Sequence, residues 1–199
     1  MKGYGIQYCS REPDWETVQP LQAECILWLP DCGIRMEQKI CYNENAIYVR
    51  QEAKEQRIRA VCRGLLDSVC QDSCMEFFLM PEGDDRYLNF EWNLCGSLCL
   101  GIGHGRGDRV RLLVPNPVKR FDFRGERTLA GWYLTYQIPK DFLALFYPSL
   151  ELKPGQSLRA NCYKCGDLTE KPHYLSWNPV SAKVPDFHRP KDFGKMFLE

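Results

Sequence analysis

Apolar and polar residues alternate with period two along much of this chain, the pattern of strands that bury one face and expose the other. Met36 to Tyr42 and Ala46 to Ala53 are two such runs, and Asn43, Glu44 and Asn45 between them have the size and chemistry of a hairpin connection. Further strand-like runs are Met75 to Met80, Tyr87 to Asn93, Arg109 to Val114, Gly131 to Ile138, Ser157 to Lys164 and Tyr174 to Trp177. Their spacing predicts an all-β fold, a two-sheet antiparallel β-sandwich of jelly-roll type, rather than βαβ units. Two stretches break the pattern. Ile58, Val61, Cys62, Leu65, Leu66 and Val69 recur at helical spacing and predict a short helix, although Gly64 opposes it. Lys140 to Phe146, preceded by Pro139 and closed by Tyr147 and Pro148, predicts a second.

Alternation also sorts side chains by face. Along Tyr87 to Asn93, the residues Leu88, Phe90 and Trp92 are expected in the core, with Tyr87, Asn89, Glu91 and Asn93 on the other face. Arg159, Asn161 and Tyr163 share one side of their strand, and Tyr133, Thr135 and Gln137 oppose Trp132, Leu134, Tyr136 and Ile138. Amides, carboxylates, arginine and tyrosine on a strand face suit a polyhydroxylated ligand, because planar groups match vicinal hydroxyls and flat rings cover the apolar face of a sugar. The plainer reading of such a face is ordinary solvation.

With 199 residues and no internal repeat or linker, a single domain over residues 1–199 is expected. Lys plus Arg and Asp plus Glu are equal at 26 each, so no net field draws the chain to nucleic acid or an anionic membrane. The first residues carry no apolar export segment, from which a cytoplasmic protein is expected. Eleven cysteines in such a chain read as buried thiols rather than a disulfide framework. The one CxxC, Cys162 to Cys165, lacks a second pair at zinc spacing and lies in a strand, so no metal ligand is assigned.

Other motifs carry little. The glycines 101, 103, 105 and 107 miss both the dinucleotide and the P-loop spacing, and a flexible loop is expected there. Arg106, Gly107 and Asp108 form an adhesion-type tripeptide to which no function is assigned. The basic run from Arg106 to Arg127 is interrupted by Asp108, Asp122 and Glu126 and reads as a solvated loop. Arg106 and Arg109 would reach an anionic or hydroxyl-rich ligand if that loop rims a site. His104, His173 and His188 form no catalytic spacing, and no catalytic residue is assigned.

The C-terminal stretch His173 to Pro179, with Ser176 and Trp177, followed by Pro185 to Leu198 with Phe187, Pro190, Phe193 and Gly194, resembles the closing signature of the family 9 carbohydrate-binding modules. Asp72 to Phe78 and Tyr87 to Asn93 resemble two further strands of that family. The resemblance implies a β-sandwich that recognises sugars between two aromatic rings and polar side chains. By position, Glu76 matches an acidic hydrogen-bonding residue, Asn161 an amide, and Glu91 a place where an arginine can stand. Phe187 falls where one sandwiching tryptophan is expected, and the other would fall near Val69. The family can carry structural calcium, but no Asp-x-Asp-x-Asp-Gly loop is present, so no cofactor is assigned.

The expectation is a non-catalytic protein that binds a small carbohydrate, with neither nucleic acid nor membrane as partner. Its site would gather Glu76, Glu91, Asn93, Asn161, Phe187 and Arg189. Two other classes compete: a sugar hydrolase using Glu76 and Glu91 as paired carboxylates, and an interaction domain docking a partner through Phe187 and Tyr163.

Overall fold

The computed structural model describes all 199 residues, which form fourteen strands and two short α-helices. The strands are β1 (Gly3–Tyr8), β2 (Leu21–Gln22), β3 (Cys25–Ile26), β4 (Arg35–Tyr42), β5 (Ala46–Lys54), β6 (Cys74–Pro81), β7 (Tyr87–Asn93), β8 (Leu98–Gly103), β9 (Val110–Arg111), β10 (Arg124–Arg127), β11 (Trp132–Pro139), β12 (Ser157–Cys165), β13 (Tyr174–Ser176) and β14 (Gly194–Leu198). The helices are α1 (Pro117–Arg120) and α2 (Lys140–Ala144), the latter at the predicted place. No helix is long and apolar enough to cross a membrane.

Hydrogen bonds run through one continuous path, β10-β11-β5-β4-β1-β14-β12-β6-β7-β8-β9. The expected pair of separate antiparallel sheets is therefore joined into a curled mixed sheet. β1 makes the join: Gly3 to Ile6 pair in parallel with β14, and Gln7 and Tyr8 pair in parallel with β4. A strand that changes partner midway must bend, and this bend folds the two arms over the apolar residues between them.

That core takes Leu88, Phe90 and Trp92 from β7 and Trp132, Leu134, Tyr136 and Ile138 from β11, the residues that alternation assigned to it. Phe90 stacks on Tyr136 at 5.9 Å between ring centroids and meets Phe121 edge-on at 5.4 Å. Trp92 stacks on Phe123 at 4.6 Å.

The opposite face of the central strands departs from expectation. Tyr87, Asn89, Glu91 and Asn93, together with Asn161 and Tyr163, are all buried. A second apolar cluster containing Phe78, Tyr87, Tyr163, Phe187 and Phe193 covers this face. Loops supply the cover: Asn93 Nδ2 donates to the Cys62 carbonyl (3.0 Å), Tyr163 donates to the Phe187 carbonyl (3.2 Å), and the Tyr87 hydroxyl meets His188 Nδ1 (2.8 Å).

The helix predicted around Ile58 to Val69 does not form. Asp72 Oδ2 accepts from the backbone N–H of Val61 and of Cys62, and Asp67 Oδ2 accepts from those of Arg63 and Gly64. These carboxylates satisfy the donors that a helix would have claimed, and Gly64 weakens the competing conformation. Only a 3-10 turn at Val69–Gln71 remains, with Val61 and Leu66 exposed. Similarly, the strand predicted over Arg109 to Val114 contracts to β9, whereas the glycine-rich stretch continues β8 as far as Gly103.

A buried ionic network ties β5, β6, β11 and β12 together. The Lys164 ammonium touches Glu55 Oε2 (3.0 Å), His173 Nε2 (2.8 Å) and the Cys165 carbonyl (2.9 Å). Glu55 also accepts from Trp132 Nε1 (2.9 Å) and Ser73 Oγ (2.8 Å). Burial alone would raise the Glu55 carboxyl, but the Lys164 charge and these donors leave it below its ordinary range. Burial, reinforced by Lys164, pulls His173 down to about 4.

Two measurements follow from this packing. Phe90→Ala should cost about 3–5 kcal/mol, read as a lowered denaturant midpoint, because a fully buried aromatic leaves a cavity among rings that cannot collapse into it. His173 imposes a pH slope: between its unfolded value near 6.5 and about 4, the unfolded chain takes up a proton that the folded chain refuses. Stability should therefore fall as pH falls through that window. His173→Gln should make the slope shallower by up to about 1.4 kcal/mol per pH unit in denaturant titrations at successive pH values.

Candidate functional site

A cleft of about 270 Å³ opens over the second face of β6, β7 and β12. Its volume lies just below the roughly 300–1,000 Å³ of ordinary small-molecule pockets. Glu76 and Glu91 form the floor, sitting opposite each other in the antiparallel register of β6 and β7. Arg106, Arg109, Arg111 and His188 line one side, and Trp28, Tyr174 and Phe187 line another.

Arg109 organises the floor. Its Nη1 donates to Glu91 Oε1 (3.1 Å) and to His188 Nε2 (2.8 Å). Asn89 Nδ2 donates to the same Glu91 oxygen (2.9 Å). His188 is drawn down to about 2 by burial and by the charges of Arg109 and Arg106, so its ring is neutral. Its Nε2 lies 2.8 Å and its Nδ1 3.1 Å from Arg109 Nη1, and Nδ1 also lies 2.8 Å from the Tyr87 hydroxyl, so a neutral ring has an acceptor nitrogen for Arg109. Burial pushes Glu76 well above the usual carboxylate range, and the neighbouring Glu91 charge pushes it further. Burial raises Glu91 too, against the pull of Arg109. Both causes favour the neutral form of Glu76, in which it offers an O–H donor and an oxygen acceptor, beside a Glu91–Arg109 pair that offers fixed acceptors and donors.

Glycines make the reach of Arg109 possible. A Cβ on Gly101 would lie 2.8 Å from Asn89 Oδ1 and 3.0 Å from Arg109 Cδ, and one on Gly103 would lie 2.7 Å from Arg109 Cα. The side chain crosses β8 where β8 has no side chains of its own. The glycine-rich segment, expected to be a flexible loop, is instead a smooth strand over which an arginine passes.

The aromatic side differs from two opposed plates. Phe187 stacks on Tyr163 at 4.1 Å and 13°, and Trp28 meets its other side at 5.4 Å and 38°. A sugar ring between two aromatic faces needs about 7–8 Å, two van der Waals contacts of about 3.5–4 Å each. Trp28 and Phe187 therefore form one continuous wall, extended by Tyr174 at 5.3 Å from Trp28. Trp28 lies outside regular structure with φ at +56°, a left-handed conformation costing roughly 1–3 kcal/mol for a non-glycine residue, and its Nε1 is anchored on the Ala182 carbonyl (2.8 Å). Val69, where a second ring was expected, lies at the cleft edge and is fully buried.

Of the six residues expected at the site, Glu76, Glu91 and Phe187 meet in the cleft. The other three fix the loops around it. Asn93 bonds Asp72 Oδ2 (2.9 Å) and the Cys62 carbonyl, and Asn161 exchanges hydrogen bonds with the backbone of Asn178 (2.9 and 3.0 Å). Arg189 is tied to Asp192 (3.0 Å) and Ser181 (3.2 Å), next to a separate shallow hollow. Arg106 pairs with Asp186 (2.9 Å), and Asp108 caps the turn at His104 and Gly105, so the adhesion-type tripeptide is consumed internally. Trp28 and His188 were not among the expected site residues, whereas Arg106 and Arg109, expected to reach a ligand if their loop rims a site, both line the cleft.

The chain covers 100% of itself and 99% of a candidate carbohydrate-binding protein from Bacteroides uniformis, at 29% identity and a TM-score of 0.83. It also superposes on a family 9 carbohydrate-binding module from Caldicellulosiruptor kristjanssonii at 14% identity. The complex of that module with cellotriose gives a TM-score of 0.70 over 100% of this chain and 94% of the module, and the complex with glucose gives 0.68 over 100% and 96%. No curated protein matches the sequence. The model of carbohydrate-binding family 9 matches residues 13–198, nearly the whole chain, and the protein belongs to that family.

Proposed function

We propose that this protein binds a mono- or short oligosaccharide, without catalysis, in the cleft floored by Glu76 and Glu91. The observation that carries the reading is the meeting, in one cleft, of the buried Glu76 carboxyl, a Glu91–Arg109 pair and an aromatic wall of Trp28 and Phe187. Vicinal hydroxyls are both donors and acceptors, and this floor offers both at fixed positions. The wall covers the apolar face of the sugar from one side only. Asn93, Asn161 and Arg189 serve by holding the covering loops.

The competing classes are not favoured. Family 9 modules are non-catalytic, and both carboxyls are engaged by neighbouring protein groups, Glu91 by Arg109 and Asn89 and Glu76 by the Cys165 thiol. Of the expected docking residues of an interaction domain, Tyr163 is fully buried and Phe187 is reached only from within the cleft. We read the curled sheet as a closed jelly-roll-type sandwich forming a single domain. Eleven free thiols suit a reducing compartment such as the cytoplasm, and the balanced charge suits neither nucleic acid nor membrane as partner.

Calorimetric titration of the protein with glucose and cello-oligosaccharides tests the reading. One of these sugars should bind, and Arg109→Ala should weaken it by roughly 10- to 150-fold, the range of about 1.5–3 kcal/mol for a hydrogen bond to a charged group. Arg57→Ala, at an exposed arginine paired with Glu170 away from the cleft, should leave affinity within about twofold. No heat and no thermal shift with any sugar of a broad panel, or equal losses in the two variants, would sink it.

A further inference from the structure

Two thiols lie beside Glu76 under the cleft floor and take no part in the proposed sugar recognition. Cys74 and Glu76 are two residues apart on β6 and so share a face, and Cys165 stands directly opposite Cys74 in the register of β12. All three are buried. Their donor atoms lie within 4.8 Å of one another, with Cys165 Sγ 3.1 Å and Cys74 Sγ 3.9 Å from Glu76 Oε1.

These separations match a tetrahedral ion. Zinc bonds of about 2.3 Å to sulfur and about 2.1 Å to oxygen place sulfur and oxygen roughly 3.6 Å apart and two sulfurs roughly 3.8 Å apart. The two sulfur–oxygen separations, 3.1 and 3.9 Å, fall on either side of the first value, and the two sulfurs lie within 4.8 Å of each other. Two thiolates and a carboxylate are a soft, anionic set that selects zinc-class ions over calcium or magnesium. Three protein donors leave a fourth position, and Glu76 and Cys165 both border the cleft, so an ion has a way in and the open position has solvent or ligand to fill it.

We infer that Cys74, Glu76 and Cys165 form a binding site for a zinc-class divalent cation at the floor of the cleft, with its fourth coordination position facing the cleft. The cation would take Glu76 as a carboxylate and so displace the proton that the sugar reading uses, which makes the two occupants of Glu76 alternatives that are tested separately. Its two cysteines come from different strands. The CxxC motif contributes only Cys165, because Cys162, three residues earlier in the same strand, points into the opposite core.

Cobalt(II) titration of the reduced, metal-free full chain provides the test. Stoichiometric cobalt should give the intense visible d–d bands of tetrahedral geometry together with thiolate charge-transfer absorption, and one equivalent of zinc should abolish both. Cys74→Ser and Cys165→Ser should each weaken cobalt binding at least about tenfold, whereas Cys95→Ser, at an exposed thiol, should leave the spectrum unchanged. Absence of tetrahedral bands in the wild-type chain would overturn the inference without any variant. So would bands that survive both substitutions but vanish in Cys9→Ser or Cys41→Ser, the other neighbouring thiol pair. Sugar titrations run on the metal-free chain with a chelator report on the proposed function separately.

Discussion

Glu76 and Glu91 face each other on adjacent strands with 2% and 4% exposure, and two carboxylates so placed cannot both stay charged without help. Burying an unpaired ion costs several kcal/mol even after relaxation, and a like charge on the neighbouring strand adds to that cost. Burial and the Glu91 charge push Glu76 toward its neutral form, and Arg109 comes across β8 to pair with Glu91. Much else follows from that crossing: β8 must be bare at Gly101 and Gly103, the 104–109 turn must present Arg109 over the sheet, and His188 must stay neutral to accept its second hydrogen bond.

The same constraint explains why the polar strand faces are not solvated. Period two in the sequence identified correctly which side chains share a face, because alternation is local backbone geometry. Exposure is not local. Whether Asn89, Glu91 and Asn93 meet water depends on loops that arrive from residues 55–73 and 166–193, far away in the chain, and nothing in the alternation of β7 reports their arrival. The cues missed around Ile58 to Val69 are of the same kind. Helical spacing of apolar residues was real there, but Asp67 and Asp72 captured the backbone donors and Arg59 paired with Asp72, so the segment became a lid edge instead of a helix.

Strand positions were legible to within a residue or two at β4, β5, β6, β7, β11 and β12, the long strands with clean patterning. The strands of two residues, β2, β3 and β9, are too short to carry a period. β1 was hidden for another reason: it divides its hydrogen bonds between two partners, both parallel, and is half-covered along its length. Of the positions matched to family 9, Glu76 and Phe187 line the cleft and Val69 lies fully buried beside it. Trp28, which also lines the cleft, comes from an irregular segment and is held by a left-handed backbone and a hydrogen bond to Ala182, and periodicity does not reach such a residue.

The cysteines make the general point most sharply. A CxxC reads as a chelating pair only where the backbone brings residues three apart to one side, as at a turn or helix start. In a strand, parity sends Cys162 and Cys165 to opposite faces, the first into the main core and the second under the cleft. What brings two thiols and a carboxyl together is the register between β6 and β12, which pairs Cys74 with Cys165 and sets Glu76 one pleat further along. Register is fixed by the whole sheet, since a slip of one residue would turn Phe77, Leu79 and Cys162 out of the core. The chemistry of the cleft floor is thus a consequence of how the core packs on the other side of the same strands.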